Sequence, residues 1–243
     1  MSLLGKLEKK NRMYFYLTEQ YSCSYIKGFQ ARSQVASPPQ SINYSSYNDL
    51  IKSGFRRSGI FSYKPHCDKC KSCVPIRIPI QRFVPNKTQK RTATRLEKAL
   101  NYQSEDLSFK EEHFLLYKQY QAIRHPGSGM DQDDRDQYTQ FLLASNVKTE
   151  LVTFRDKFKT LKMVCIFDIL ENGISSVYTF FSPNEKSTSY GTYGILWQIE
   201  ECRKRELSFL YLGYWIDQSS KMAYKTKFRP YQILDKGSWI SHK

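Results

Sequence analysis

The sequence predicts an α+β protein with a mixed sheet in the C-terminal part of the chain. Three consecutive runs have the length and residue types of strands, namely Leu151–Phe154, Met163–Ile169 and Ser175–Phe181. A helix-like segment, Gly194–Arg205, and a buried strand, Phe209–Tyr214, follow them. Strands in series, then a helix and a further strand, indicate a sheet with a helix packed on one face.

The positive charge of the chain is concentrated in its first 100 residues. The 243 residues carry a net charge of +15, and residues 1–100 hold 19 Lys and Arg against 5 Asp and Glu. Such an uneven excess is typical of a surface that binds a polyanion such as RNA. We therefore predict a basic N-terminal region over residues 1–100 and a second domain over residues 101–243.

The composition indicates a folded protein that does not enter a membrane. Hydrophobic residues make up 40% of the chain and aromatic residues 15%, with 18 tyrosines. No apolar run approaches the ~20 residues that cross a bilayer, and the first ten residues lack the pattern of a signal peptide. The sequence therefore predicts a cytoplasmic protein with reduced thiols and no membrane partner.

Short strands and turns are predicted for residues 14–85. Ser37–Gln40 is predicted to be a loop, and Arg77–Ile80 an edge strand, because prolines flank it. Residues 86–100 are very basic and are expected to form a linker that becomes a short helix.

The middle of the chain is expected to be helical. Apolar residues recur at helical spacing over residues 109–123, and Ser108 with Glu111 has the pattern of a capping box. A second short helix is predicted over residues 136–145, and Glu171–Gly173 is predicted to be a hairpin turn.

Four cysteines are predicted to form one site. Cys67, Cys70 and Cys73 lie in a single short run, and Cys23 lies upstream. Thiolates two residues apart can reach one metal, because a tight turn brings both sulfurs to the same side. Structural zinc is the commonest centre for four cytosolic thiolates, an iron–sulfur cluster is also compatible, and unliganded thiols are the third alternative.

Seven short motifs occur in an order that is typical of one enzyme family. The motifs are Gly54-Phe-Arg-Arg-Ser-Gly59, Cys67–Cys73 with Val74-Pro-Ile-Arg77, His125-Pro-Gly-Ser-Gly-Met130, Val177-Tyr-Thr-Phe-Phe-Ser-Pro183, Leu210-Tyr-Leu-Gly-Tyr-Trp-Ile216, Lys221-Met-Ala-Tyr-Lys225 and Phe228-Arg-Pro230. With them the chain resembles the bacterial aspartate/glutamate leucyltransferases, relatives of the eukaryotic arginyl-tRNA–protein transferases. The resemblance extends from about Tyr14 to Tyr231.

The resemblance implies a reaction and a fold. In that family an aminoacyl-tRNA donates its amino acid to the α-amine of a protein that begins with Asp or Glu, which marks the product for degradation. The implied fold of the C-terminal domain is acetyltransferase-like (GNAT-like). The implied partners are leucyl-tRNA and such acceptor proteins, and no dissociable cofactor is expected. Iron–sulfur clusters in the arginyltransferase relatives strengthen that alternative for the four cysteines.

Three residues are candidates for the chemistry of amide formation. Tyr214 and Asp217 lie at the end of the last predicted strand, where Gly213 suggests a bulge. Asp217 could orient the amine or accept its proton, and His125 suits a base because its ordinary pKa is near neutral. A solvated aspartate and a histidine that caps a helix are the alternatives.

Four arginines are candidates for binding the acidic residue of the acceptor. They are Arg56, Arg57, Arg77 and Arg229. Arginine is preferred because its planar guanidinium binds a carboxylate with two parallel hydrogen bonds. Contact with tRNA phosphates, or plain surface charge, is the alternative for each.

The 3′ end of the tRNA is expected at the Gly-rich segment Ser189–Gly194. A Gly-rich turn that enters a helix exposes backbone N–H groups, which suit a phosphate. The candidate residues for this contact are Gly191, Thr192, Gly194, Lys221 and Lys225. An ordinary tight turn is the alternative.

Other functions remain open from the residues alone. The donor could be arginyl-tRNA instead of leucyl-tRNA, or the chain could be a non-enzymatic RNA-binding protein with a zinc module. A coenzyme A acetyltransferase is disfavoured, because residues 189–194 lack the glycine pattern that binds the pyrophosphate of that cofactor.

Overall fold

The computed structural model describes residues 13–127, 130–184 and 188–243. Its helices are α1 (Tyr44–Lys52), α2 (Lys87–Ala99), α3 (Glu111–Arg124), α4 (Arg135–Tyr138) and α5 (Tyr190–Lys204). Its strands are β1 (Tyr14–Leu17), β2 (Tyr21–Ser22), β3 (Gln30–Ala31), β4 (Ser33–Ser37), β5 (Arg56–Ser58), β6 (Phe61–Pro65), β7 (Val74–Pro79), β8 (Asn101–Glu105), β9 (Thr149–Arg155), β10 (Leu161–Ile169), β11 (Gly173–Phe181), β12 (Phe209–Trp215), β13 (Tyr231–Asp235) and β14 (Ser238–His242). No helix within these ranges has the length and apolarity that a membrane crossing needs.

An eight-stranded sheet forms the centre of the structure, in the order β14-β13-β7-β12-β11-β10-β9-β8. Its neighbouring strands are antiparallel, except for the parallel pair β11 and β12. Helices α2 and α5 contribute Leu96 and Trp197 to a core with strand residues such as Phe167 and Leu210. The predicted α+β class is confirmed. The order of three strands, a helix and a strand is also confirmed, and each strand is longer than predicted.

A smaller sheet, in the order β1-β4-β6-β5, is formed by the N-terminal region. Helix α1 joins it to the large sheet, because Tyr47 and Leu50 pack in one cluster with Ala36 of the small sheet and Tyr211 of the large one. The predicted domain boundary at residue 100 stays a prediction. Strand β7, which precedes that boundary in the sequence, belongs to the large sheet.

Strand β7 lies inside the large sheet, so its prediction as an edge strand is wrong. It pairs with β12 on one side and with β13 on the other. Proline is tolerated because the pairing with β13 covers only Ile76 and Arg77, which leaves Pro75 and Pro79 outside that ladder.

Two predicted helix starts differ from the structure. Helix α3 begins after Lys110, whose side chain makes no cap, so the capping box predicted at Ser108 is wrong. Helix α5 begins at Tyr190, four residues before the predicted start. Gly194 therefore lies within the helix, where an added Cβ would stand 3.4 Å from the Cys165 sulfur, so it serves close packing on the sheet.

A buried ion pair joins the two sheets. Arg57 on β5 donates from Nε and Nη2 to the Asp168 carboxylate on β10 at 2.7 and 2.8 Å. Both side chains are almost fully buried. Tyr47 Oη and Thr149 Oγ1 donate to the same carboxylate at 2.5 and 2.7 Å. A buried charge is tolerated when it is paired and hydrogen-bonded in this way, and the network fixes β5 against β10.

We predict that Asp168→Asn strongly destabilises the fold. The substitution preserves side-chain size but leaves the Arg57 guanidinium buried without a counter-charge, which costs about 3–5 kcal/mol in comparable pairs. The free energy of unfolding, measured in urea, should fall by that amount. Glu111→Gln, which breaks the exposed pair with Arg135, should leave the urea midpoint unchanged. Equal midpoints for the two variants would contradict the structural role of Asp168.

Candidate functional site

The parallel strands β11 and β12 separate partway along their length. Their pairing covers only Gly173–Ser175 and Phe209–Tyr211. The register of β12 against β7 also shifts between Tyr211 and Tyr214, and Gly213 between them has a φ of +76°. The predicted bulge at Gly213 is thus confirmed. We call the opening beyond Tyr211, between β11 and β12, the strand gap.

Arg56 occupies the strand gap. Its Nη2 donates to the carbonyl oxygen of Val177 on β11 at 3.0 Å. On the β12 side, a Cβ added to Gly213 would stand 2.2 Å from Arg56 Nη1, so only glycine fits there. No carboxylate in the described part of the chain pairs with this guanidinium. Arg56 is therefore a cation that can accept an anionic group from a ligand.

Lys225 and Tyr214 lie beside Arg56. The Lys225 Nζ donates to the main-chain carbonyl of Tyr214 at 2.6 Å, and its side chain is buried. Burial, followed by the charge of Arg56, lowers the pKa of Lys225 to about 7. The Tyr214 hydroxyl donates to the carbonyl of Gly54 at 2.8 Å, and burial raises its pKa well above the ordinary value. The Tyr214 phenol is therefore neutral, and its proton is already donated to the Gly54 carbonyl. Neither property favours Tyr214 as a catalytic base.

Aromatic side chains form one wall of the region around the strand gap. Tyr120 packs edge-on against Phe181 with ring centroids 4.9 Å apart, and against Tyr178 at 6.4 Å. The Arg56 charge also acts on the phenols of Tyr25 and Tyr224. Tyr120 and Tyr25 lie in no local sequence pattern that predicts a site residue. The high tyrosine content was the only signal that pointed to them.

His125 lies next to this wall, with its ring centroid 5.5 Å from that of Tyr120. Burial, followed by the charges of Lys221 and Arg124, lowers its pKa. His125 is therefore neutral at physiological pH and retains a nitrogen that can accept a proton. The structure brings His125 and Lys221 near each other, but it places Asp217 on the exposed surface.

The other predicted arginines lie away from the strand gap. Arg57 is fully engaged with Asp168, and Arg229 is exposed and donates to the carbonyl of Lys243. Arg77 is buried, with its guanidinium 3.6 Å from the Phe209 ring centroid. These placements do not favour Arg57 as a ligand for the acceptor.

Arg77 instead lines a second opening, which we call the basic cleft. This cleft has a volume of about 900 Å³ and also contains the side chains of Lys52, Lys64, Lys71 and Lys236. Arg77 donates to the Tyr211 hydroxyl at 3.1 Å and to Gln232, and burial lowers its pKa. Because residues alternate along β7, Arg77 faces away from α5, whereas Ile76 and Ile78 face the core beneath that helix.

Gly191 and Thr192 lie in the first turn of α5, partly buried. An added Cβ at Gly191 would stand 3.3 Å from the Phe181 ring, so this turn abuts the aromatic wall. The predicted Gly-rich turn before the helix is thus the first turn of the helix itself. Its backbone N–H groups still lack intrahelical partners, as at every helix start.

The four cysteines of the predicted metal site line one cavity of about 500 Å³, together with Tyr214. Burial, followed by the neighbouring thiols of Cys67, Cys23 and Cys70, raises the pKa of Cys73 to about 12. The Ile26 N–H donates to the Cys23 sulfur at 3.4 Å, a bond that orients a thiolate. Among the described residues, no three His, Cys, Asp or Glu side chains are arranged as a metal site. The four thiols are chemically suited to a thiolate centre, but their sulfurs are not gathered around one point as bound ligands would be.

Comparison with known proteins identifies the family. Residues 21–91 match the family profile "Arginine-tRNA-protein transferase, N terminus", and residues 112–235 match the corresponding C-terminus profile. The chain is 51% identical over 228 residues to the aspartate/glutamate leucyltransferase of Thiobacillus denitrificans (strain ATCC 25259 / T1), with 94% of each chain covered. It is 49% identical over 239 residues to the enzyme of that name from Nitrosospira multiformis (strain ATCC 25196 / NCIMB 11849 / C 71), covering 98% of this chain and 94% of that one.

A solved structure shares the fold. L-PGS from Bacillus licheniformis superposes with a TM-score of 0.52 at 10% identity, over 71% of this chain and 59% of that chain. This likeness concerns the fold alone, and with the sheet topology it confirms the predicted GNAT-like architecture. By its sequence the chain belongs to the aminoacyl-tRNA–protein transferase family that includes the arginine-tRNA–protein transferases and the aspartate/glutamate leucyltransferases.

Proposed function

We propose that this protein transfers leucine from leucyl-tRNA to the α-amine of proteins that begin with Asp or Glu, which tags them for degradation. The names of the relatives supply the reaction class. The observation that carries the proposal is Arg56, a guanidinium that stands in the strand gap without a carboxylate partner in the described residues.

The reaction is the aminolysis of an activated ester. The acceptor nitrogen bonds to the ester carbonyl carbon, the bond from that carbon to the terminal ribose oxygen breaks, and the amine proton ends on the ribose oxygen. The ester supplies the driving force. The protein must therefore orient the two substrates, keep the amine neutral and stabilise the oxyanion, and orientation alone is worth up to ~7–11 kcal/mol.

Arg56 and Lys225 serve different parts of the acceptor. The planar guanidinium of Arg56 suits the side-chain carboxylate of an N-terminal Asp or Glu, which explains a preference for acidic residues. Once Arg56 is paired with that carboxylate, the neighbouring Lys225 is the charge that disfavours protonation of the incoming amine, whose ordinary pKa is about 8. Burial, followed by the charge of Arg56, lowers the pKa of Lys225 itself to about 7. The acceptor amine is thereby held in its nucleophilic form.

The bulge on β12 suits the developing oxyanion. Leu212 and Gly213 have no register partners on β7, so an N–H group of this bulge, beside Arg56, is our candidate donor to the oxyanion. Preorganised N–H groups of this kind stabilise the charge on a tetrahedral carbonyl oxygen.

The surroundings of the strand gap favour leucine over arginine as the transferred residue. The rings of Tyr120, Tyr178 and Phe181 form an apolar wall for a leucine side chain. A donor guanidinium on this wall would meet the positive charges of Arg124, which stands 5.5 Å from the Phe181 ring centroid, and of Lys221 near His125. Like charges at such distances repel each other.

We further propose that Cys23, Cys67, Cys70 and Cys73 hold a metal centre, either zinc or an iron–sulfur cluster. Four thiols around one cavity are the donor set of both centres. Such a centre would fix the N-terminal loop that carries Tyr25 against the strands that carry Tyr63 and Tyr214. It takes no part in bond formation in this proposal.

A transfer assay tests the proposed reaction. Purified protein is incubated with leucyl-tRNA or arginyl-tRNA and with peptides that differ only in their first residue, namely Asp, Glu, Asn, Lys or Ala. We expect leucine to be transferred to the Asp and Glu peptides, and arginine not to be transferred. Transfer from neither tRNA, or equal transfer to Asp and Asn peptides, would refute the proposal.

Arg56→Gln should reduce transfer to acidic acceptors selectively. Loss of a charge-assisted hydrogen bond costs about 1.5–3 kcal/mol, so kcat/KM for the Asp peptide should fall ~10- to 150-fold. The Asn peptide should be affected less, because it carries no carboxylate for Arg56 to bind. Arg229→Gln is the matched control, since Arg229 was predicted for the same role but lies on the exposed surface. The roles assigned to the two arginines are wrong if Arg229→Gln loses the Asp preference and Arg56→Gln keeps it.

Replacement of the clustered cysteines should remove the metal. Protein purified without oxygen is analysed for bound zinc and iron, and its visible absorption is recorded for a cluster. We expect one centre per chain in the wild type, and its loss in Cys67→Ser and Cys70→Ser. Cys165→Ala, which changes a thiol in the core, should keep the metal. Wild-type protein without zinc or iron would contradict this assignment.

A further inference from the structure

Helix α2 carries an exposed row of positive charges, which we call the α2 basic stripe. It consists of Lys87, Lys90, Arg91, Arg95 and Lys98. All five side chains are exposed, whereas the helix buries Gln89, Thr92 and Leu96. At about 100° per residue, the five cations point away from that buried side within one broad face.

The stripe is not neutralised by the rest of the protein. No carboxylate in the described residues forms an ion pair with any of its five members, although many other cations of the chain are paired. Glu97, the only acid of α2, lies at the edge of the stripe. Five uncompensated cations on one helix face repel one another, so a polyanion that follows the helix would bind favourably.

The stripe leads towards the strand gap. Arg95, near the end of α2, donates to the carbonyl of Thr188, which stands just before α5. At the other end, Arg203 near the end of α5 donates to the carbonyl of Phe83, which precedes α2. The two helices therefore run antiparallel, and the late part of α2 lies next to the start of α5. That start abuts Phe181 of the aromatic wall.

We propose that the α2 basic stripe is the docking surface for the acceptor stem of the aminoacyl-tRNA. A helix of 13 residues is about 20 Å long, which is enough to follow the phosphates of a short duplex segment. Duplex RNA is recognised mainly through shape and backbone, so lysines and arginines on a ridge are suitable ligands. A stem on this ridge would direct its aminoacylated end past the first turn of α5 to the strand gap. This inference rests on the proposed function.

The basic cleft is the competing surface. It holds several cations as well, but Arg77 within it faces away from α5, on the side of the sheet opposite the core beneath that helix. A stem bound there would approach the sheet from the other side. The position of the stripe beside the start of α5 favours the stripe.

A salt titration with matched triple variants tests the inference. The stripe variant combines Lys87→Gln, Arg91→Gln and Lys98→Gln, which keep α2 helical because glutamine is a good helix former. The control variant combines Lys52→Gln, Lys148→Gln and Lys236→Asn, which removes three charges outside α2, two of them from the basic cleft. The dissociation constants of uncharged tRNA and the KM for leucyl-tRNA are measured from 50 to 200 mM salt, with circular dichroism as the check of folding.

We expect the stripe variant to lose most of its salt dependence. Each phosphate contact contributes about 0.9 to the slope of log affinity against log salt, so three contacts account for about 2.7. Across this salt range the affinity of the wild type should fall about 40-fold more than that of the stripe variant. The KM for leucyl-tRNA should rise, while kcat at saturating tRNA and the KM for the peptide should stay unchanged. The control variant should behave like the wild type.

Two kinds of failure can be told apart. A stripe variant that binds tRNA with the wild-type slope, or a control variant that loses as much slope, overturns the inference while leaving leucine transfer intact. A wild type that binds tRNA but transfers no leucine refutes the proposed function. The tRNA-binding measurement still decides where the RNA docks in that case.

Discussion

The structure depends on the buried pair between Arg57 and Asp168. Because residues alternate along a strand, the two neighbouring arginines of β5 point in opposite directions. Arg57 enters the interior and binds Asp168, and this contact fixes β5 against the large sheet. Arg56 is thereby placed in the gap between β11 and β12, where the geometry of Gly213 makes room for it. One arginine of the motif is structural, and it positions the other.

The strand gap then has an unusual charge environment. Arg56 and Lys225 stand close together, and the described residues bring no carboxylate to neutralise them. Such a field is costly for the folded protein but suits a reaction in which an amine must stay neutral and an ester oxygen becomes negative. The same field offers the carboxylate of an acidic acceptor a favourable partner. Arg56 thus selects the acidic acceptor, and Lys225 beside it is the cation that disfavours a charged amine.

The sequence predicted those features that depend on local pattern. The strands from β9 to β12 and the bulge at Gly213 could be predicted, because an apolar run indicates a buried strand and an isolated glycine in a strand indicates a bulge, whatever the distant residues are. The buried role of Arg57 was not, since its partner Asp168 lies 111 residues away. The same holds for the interior position of β7, which depends on pairing with β12 and with the C-terminal hairpin. Gly194 has the local pattern of a turn glycine, and its close packing against Cys165 leaves no signal in the neighbouring sequence.

The most direct test of this account is an experimental structure with both substrates represented. The protein is crystallised with a non-hydrolysable leucyl-adenosine amide and a peptide that begins with Asp. The account predicts that the peptide carboxylate lies within hydrogen-bond distance of Arg56 and that its α-amine faces the leucyl carbonyl in the strand gap. A peptide carboxylate bound to Arg77 in the basic cleft, with Arg56 still bonded only to Val177, would contradict it.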